Sequence, residues 1–419
     1  MTATPLQFFH GSQVVEGTQA IQSPVLGDQA AVGLVGTADG ADNAKFPFNE
    51  PILIQNPTAA AGLGTAGTLP QAIADIYAQA GCNVVMIRVP SAVDLDTQLA
   101  NVIGSASAQT GVYGLLSAAP VVGVKPKTLI APGFTPQRVA SVSAPGVLGA
   151  NPVVAALLPI AESLRGRVYA STPSTNFTDA FYWAADWGSD RVVAFYPNVL
   201  TWAESLAAYI NAPADATMAG LLAKVQNTKG FWWSSSNQLI DIGGTSSPIN
   251  FDNSYACLAN LLNENKIATI INIQKSMGNG IGGWRRWGNT NLSANTATQF
   301  ECVRTTMDAI FDALDVVSLQ WVDADPTPQT LADMTFAAQQ FFNSLKNQGV
   351  IIGGKVWLDA NDNNAQQMSQ GIYCWRIDPT PAAPMQTITY YSQLNNQYYT
   401  DELTSLASII NAGTLTTGA

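Results

Sequence analysis

Charged residues are scarce in this chain. Asp, Glu, Lys and Arg make up 11% of its 419 residues, against about 25% in ordinary soluble domains. Hydrophobic residues reach 47%, so the low-hydrophobicity, high-charge signature of disorder is missing. A basic surplus is missing too: 18 Lys and Arg face 29 Asp and Glu, for a net charge of −11. Neutralising a phosphate backbone needs the opposite balance, which argues against direct contact with nucleic acid. Histidine is reduced to His10. Multi-histidine zinc sites and HExxH motifs are thereby excluded, and a Ser-His-Asp triad would depend on a polar N-terminal segment. The composition points away from an enzyme, and no catalytic residue, metal ligand or cofactor is assigned.

Cysteine is sparse and scattered. Cys82, Cys257, Cys302 and Cys374 form no CxxC pair, so they read as reduced core residues of a chain folded in a cytoplasm. Residues Met1–Phe9 carry neither a basic stretch nor an apolar core of signal-peptide type. No apolar run approaches the roughly 18 residues of a membrane span, and membrane insertion is not expected.

What is present is a rhythm of strands and helices. Ala31–Val35, Pro51–Gln55, Asn83–Val89, Lys127–Ala131, Arg167–Ala170 and Arg191–Tyr196 read as strands, several of them continuously apolar. Helices are expected over Thr68–Gln79, Pro152–Leu164 and Phe177–Trp187. This alternation predicts an α/β layer with a largely parallel sheet. Pro213–Pro248 is less regular and rich in Gly, Ser and Trp. A second, α+β unit is expected from about Ala256, with a strand at Ile267–Ile273, helices at Thr298–Leu314 and Thr330–Lys346, and Val350–Ile352 and Gly371–Arg376 as a closing pair of strands. The prolines of Asp378–Pro384 then interrupt regular structure before the strand-prone segment Met385–Tyr399. The expected organisation is an extended N-terminal arm over 1–29, an α/β region over 30–255, an α+β domain over 256–378 and an extended C-terminal arm over 379–419.

Several motifs compete for a chemical reading. Gly62–Gly67 matches GxGxxG, and a dinucleotide-binding oxidoreductase using it is the alternative function. Asn56–Ala61, however, separates these glycines from the preceding strand, whereas a pyrophosphate site needs them at the strand end. Gly278–Gly283 leads into Trp284-Arg-Arg-Trp287 and reads as a tight turn beside aromatic packing, with arginine stacked on tryptophan inside the subunit or at a subunit contact. Asp359–Asn364 opens like a calcium loop but has Asn364 where the sharp-turn glycine belongs and Gln370 in place of the closing Glu, which makes it a polar turn. Asp323 and Asp325, ahead of Pro326, read as turn and cap residues. Few charges, many aromatics and two extended termini together describe an assembly subunit, whose arms add to a neighbour's sheet edge in a heterologous contact.

Beyond these patterns stand His10–Glu16, Ala30–Ala38, Phe46–Ile54, Val84–Val89, Gly123–Lys127, Tyr196–Trp202, Gly283–Thr290 and Phe300–Thr306. Through these stretches the chain resembles the contractile tail sheath family of bacteriophages and R-type bacteriocins in its shorter, two-domain form. Its turn motif includes Gly283, Arg286, Trp287, Gly288 and Asn289, and departs from the family pattern in lacking an arginine between Asn289 and Thr290. The resemblance implies an outer α/β region, an inner C-terminal domain, and stacked hexameric rings polymerised around a tail tube, with baseplate and tail terminator proteins as further partners. It implies arms that interlace neighbours through strands containing Val14, Val15 and Glu16 and containing Ile388, Tyr390 and Tyr391. It further implies a location in the virion tail after assembly in the host bacterial cytoplasm, with Arg304 and Lys346 as expected tube contacts; the sheath of an R-type bacteriocin, rather than of a phage, is a second alternative function. The low charge content suits a surface that mostly meets its own copies.

Overall fold

The computed structural model describes residues 26–140, 148–252, 254–273 and 282–414. Two units are distinguished, Met1–Pro384 and Met385–Ala419. In chain order the first contains β1 (Val32–Gly36), β2 (Pro51–Ile54), α1 (Leu69–Gln79), β3 (Val84–Arg88), α2 (Leu95–Ile103), α3 (Ala118–Val122), β4 (Thr128–Ile130), α4 (Pro152–Leu164), β5 (Arg167–Ser171), α5 (Phe177–Ala185) and β6 (Val192–Phe195). A hairpin of β7 (Val199–Ala203) and β8 (Ala208–Ala212) leads into α6 (Ala214–Lys229), followed by β9 (Gly244–Thr245) and α7 (Leu258–Glu264). The strands β10 (Ile267–Ile273) and β11 (Gly283–Trp287) come next.

Eight of these strands form one sheet in the order β11-β10-β6-β5-β4-β1-β3-β2. All neighbours from β10 to β3 run parallel, and β2 and β11 close the edges antiparallel. The central strands are buried on both faces, which is why they appear in the sequence as unbroken apolar runs. Leu99 of α2, Leu157 and Ile160 of α4 and Trp183 of α5 cover one face. Ile73 and Ile76 of α1 and Met218 and Leu222 of α6 cover the other. Helices α1 and α6 approach at Gly220, where a Cβ would lie 2.4 Å from the Ile76 carbonyl oxygen.

Beyond the sheet come α8 (Glu301–Ser318), α9 (Pro328–Asn347), β12 (Ile351–Gly353), β13 (Val356–Leu358), α10 (Ala365–Ser369), β14 (Trp375–Ile377) and β15 (Thr380–Pro381). Ala309, Ile310 and Ala313 of α8 meet Phe341, Phe342 and Leu345 of α9 in a separate small core. The second unit contains α11 (Gln397–Thr414). Among the described residues no helix is long and apolar enough to cross a membrane.

Four expectations change. The break at 255/256 does not separate two sheets, because Ile267–Ala268 pair in parallel with Ala194–Phe195 and carry β10 and β11 into the large sheet. The irregular stretch after Pro213 contains the 16-residue helix α6. Its flanks are buried nearly all round, so it carries no apolar stripe for a periodicity argument to find. The closing strands pair differently: Val356–Leu358 takes Trp375–Ile377, and Ile351 and Gly353 take Pro381 and Thr380. The C-terminal arm is extended only at first, since Tyr398 and Tyr399 belong to α11 rather than to a strand. A smaller change concerns α9, which is capped by the side chain of Thr327, accepting from the Thr330 N–H, and not by Asp325.

Candidate functional site

The expected turn motif turns out to set a buried ionic joint. Strand alternation sends neighbouring β11 side chains to opposite faces. Arg286 therefore enters the core with none of its surface exposed, while Trp287 packs edge-on against Phe251 on the other side. The guanidinium lies over the rings of Tyr169 and Phe195, 5.1 Å from the latter's centre. For Arg286, then, the stacking partners are rings of β5 and β6. Arg286 Nη2 donates to Glu301 Oε2 at 2.5 Å, and Nη1 donates to the hydroxyls of Tyr169 (2.9 Å) and Ser235. The Tyr169 hydroxyl donates in turn to Glu301 Oε1, and Arg167 Nη1 stands 3.8 Å from that oxygen. Burial works against the Arg286 charge, but Glu301 and Tyr169 outweigh it and hold the group firmly protonated. Burial likewise raises the Tyr169 hydroxyl well above its ordinary range.

The rest of the motif serves this placement. Gly288 has φ +130°, and a Cβ there would sit 2.8 Å from Ala268 Cα, so only glycine lets the chain turn against β10. Asn289 is buried, and its carbonyl accepts from the N–H of Glu301 at 3.0 Å. Gly283 also has positive φ and lies close to Leu239. The turn fixes the first residue of α8 directly above Arg286.

From there α8 extends the joint along the sheet. Glu301, Arg304, Asp308, Asp312 and Asp315 fall at helical spacing on one side. Arg191 grips Asp308 with two bonds of 2.9 and 3.0 Å, and Arg304 adds a third of 2.7 Å. Lys125 (3.0 Å), Lys127 and Arg165 (3.2 Å) converge on Asp312, and Arg165 reaches Asp315 at 2.5 Å. Burial lowers the Lys127 ammonium to about 8. Burial would raise Asp312, but Lys127 and Lys125 hold it below the ordinary carboxylate range. These bases stand where parallel strands begin: Lys127 before β4, Arg167 at the head of β5, Arg191 before β6 and Lys266 before β10. Lys266 donates to the carbonyl of Ser293, on the approach to α8. Seven of the chain's 18 basic residues (Lys125, Lys127, Arg165, Arg167, Arg191, Arg286 and Arg304) are spent here. The sequence carries a signal for this joint: a basic residue opening successive strands, and an acidic stripe on the helix that follows.

Other expected residues fall elsewhere. Arg304 pairs with Asp308 and stands 3.6 Å from Asp190, so its charge is engaged within the chain and not presented outward. Lys346 is exposed in the last turn of α9. Ile388, Tyr390 and Tyr391 are 63%, 89% and 96% exposed in a segment without strand structure. Val14, Val15 and Glu16 lie outside the described residues, as does most of Gly278–Gly283. Asp359 and Asp362 pair with Arg376, and Asn364 forms a capping box with Gln367, which together make a closed polar turn. All four cysteines are free thiols, with Cys257 and Cys302 buried.

The glycine loop does not form a phosphate cradle. The strand before it, β2, is an antiparallel edge strand. At the switch point beside β1, the α1 N-terminus is filled by protein: Thr37 N–H donates to Thr68 Oγ1, Thr68 N–H to Thr37 Oγ1, and Leu69 N–H to the Thr37 carbonyl. A Cβ on Gly67 would lie 2.4 Å from that carbonyl oxygen, and one on Gly64 would lie 3.0 Å from the backbone of Gly40. Its glycines serve backbone-on-backbone packing.

Solved contractile sheath proteins share this fold. The fold matches the contracted helical sheath of the anti-feeding prophage at TM-score 0.69 and 16% identity, covering 94% of this chain and all of that one. It matches the contracted sheath of the PVC extracellular contractile injection system at TM-score 0.65 and 15% identity, with the same coverage. Residues 293–395 match the family described as phage tail sheath C-terminal domain. The chain is 31% identical over 405 residues to a putative prophage major tail sheath protein of Pseudomonas aeruginosa strain UCBPP-PA14, covering 95% of this chain and 99% of the relative. It is 28% identical over 417 residues to the tail sheath protein of Escherichia phage P2, covering 96% and 99%. The chain belongs to the phage tail sheath protein family.

Proposed function

We propose that this chain is the structural subunit of a contractile phage tail sheath, and the single observation that carries the reading is its end-to-end similarity to a prophage tail sheath protein. Copies polymerise as stacked hexameric rings around a tail tube, bounded by baseplate and terminator proteins. Contraction drives the tube through the host envelope. The subunit is made in the host cytoplasm, becomes part of the virion tail, and performs no catalysis.

Contraction of such an assembly needs subunits that move as bodies while their connections persist. The ionic joint supports the first requirement. Its α8 is held by paired charges on one side and by the α9 core on the other, so force applied to the C-terminal helices reaches the large sheet without a soft hinge. The arms meet the second requirement. Ile388, Tyr390 and Tyr391, together with Val14, Val15 and Glu16, add as strands to the sheet edges of neighbouring copies. In support, the three C-terminal residues expose large apolar surface. Lys346 faces the tube. The outer position of the large sheet and the inner position of the α8–α9 unit belong to the same reading. Sedimentation of the full chain and of a chain ending at Pro384 tests the arm mechanism. The truncated chain is expected to stay a folded monomer, and its polymerisation at the full chain's concentration would refute arm exchange.

A further inference from the structure

The β7–β8 hairpin stands over α1 and borders an open recess of about 370 Å³. Trp202 and Tyr209 face each other across the hairpin register. Their rings meet edge-on at 5.4 Å and remain 52% and 59% exposed. Gly243 lies against Tyr209, where a Cβ would come within 2.3 Å of the ring. Glu204 and Asp241 stand exposed at the mouth, and Asp75, only 4% exposed, forms part of the wall. Gln79 fixes this wall, donating to the Asp241 carbonyl at 2.7 Å and accepting from its N–H at 2.9 Å. Among the described residues no Lys or Arg lines the cavity. Burial pushes the Asp75 carboxyl up to about 7, against the hydrogen bond that Gln71 donates to it at 2.7 Å.

An aromatic face flanked by carboxylates is the chemistry that binds an organic cation, by cation–π attraction and charge-assisted hydrogen bonds together. The chain carries 29 acidic against 18 basic residues, so among the charged side chains of a second copy an acidic recess attracts only the cations. Lys224, exposed on α6, meets that need. We propose that the cavity formed by Trp202, Tyr209, Glu204, Asp241 and Asp75 receives a lysine ammonium from a second copy of this chain and fixes the contact between copies. The proposal rests on the self-assembly reading above and adds a residue-level contact that the arms do not supply.

The test uses the full chain. Sedimentation gives the concentration at which wild type, Trp202→Ala and the double variant Glu204→Gln/Asp241→Asn polymerise, with thermal melting as the control for folding. Both variants should melt like wild type and require roughly tenfold more protein to polymerise. Nα-acetyl-lysine methylamide should suppress wild-type polymerisation, whereas its uncharged norleucine counterpart should not. Below the polymerisation concentration, the lysine probe should quench tryptophan fluorescence in wild type and not in Trp202→Ala. Polymerisation of both variants at the wild-type concentration would overturn the proposal, as would equal effects of the two probes. A wild-type chain that never polymerises would instead refute the sheath reading, and the fluorescence arm would still decide whether the cavity binds an ammonium.

Discussion

Replacing Glu301 by Gln removes one charge from the joint and almost none of its shape. In the wild type Glu301 Oε2 accepts from Arg286 at 2.5 Å, while Arg167 stands 3.8 Å from Oε1. Arg286 is fully buried and keeps its proton at any accessible pH, so it cannot escape by becoming neutral. Loss of the carboxylate leaves a buried cation facing a second cation, and such a loss costs about 3–5 kcal/mol. Unfolding entropy of about 2.1 cal/mol/K per residue gives roughly 0.8 kcal/mol/K for a unit of this size, bounded by Met1–Pro384. The expected fall in Tm is then roughly 4–6 °C. Calorimetry or circular dichroism of unpolymerised chain measures it. Arg286→Met in the Glu301→Gln background removes the stranded cation and should recover part of the loss, with a coupling of about 2 kcal/mol or more. If Glu301→Gln stayed within about 1 kcal/mol of wild type, or if the two changes were simply additive, the joint would not be the mechanical link argued for it.

Three further outcomes follow from the same geometry. Asp215 is fully buried at the start of α6, where burial, and to a lesser degree Asp75, raise it to about 7. Because this folded-state value lies above the unfolded one, the native chain holds the proton more tightly, and stability falls as pH rises from about 4 towards 7. Asp215→Asn should flatten that fall by up to roughly 4 kcal/mol, seen as a smaller loss of Tm between pH 4 and pH 7, and an unchanged slope would contradict the assignment. Gly67→Ala forces a Cβ to within 2.4 Å of the Thr37 carbonyl oxygen at φ +97°; it should cost roughly 2 kcal/mol or more. Calorimetric titration of wild type with NAD should give no heat of binding, and a saturable site lost in Gly64→Ala would restore the dinucleotide reading.

Much of the fold was legible because the strands of a covered parallel sheet must be apolar on both sides. Val84–Arg88 and Val192–Phe195 announce themselves in this way. Helix α6 was not legible, for the opposite reason: it is covered on nearly every side and alternates Ala, Gly, Thr and Leu without a stripe. The boundary is not legible because Ile267–Ile273 looks like the opening of a new unit, and only its pairing with β6 shows that it completes the large sheet. The turn motif marked Arg286 as a residue of interest, yet its partners Tyr169, Ser235 and Glu301 are scattered along the chain. Nothing local names them. The scarcity of charge also takes on a second meaning: more than a third of the basic residues sit in the joint, where they hold α8 to the sheet.

The central claim is that copies of this chain build a contractile tube. Negative-stain electron microscopy of the purified full chain at rising concentration tests it most directly. Long hollow tubes with sixfold symmetry in projection down the axis are expected. A chain that remained monomeric at high concentration, with its joint intact and its Tm unchanged, would contradict it.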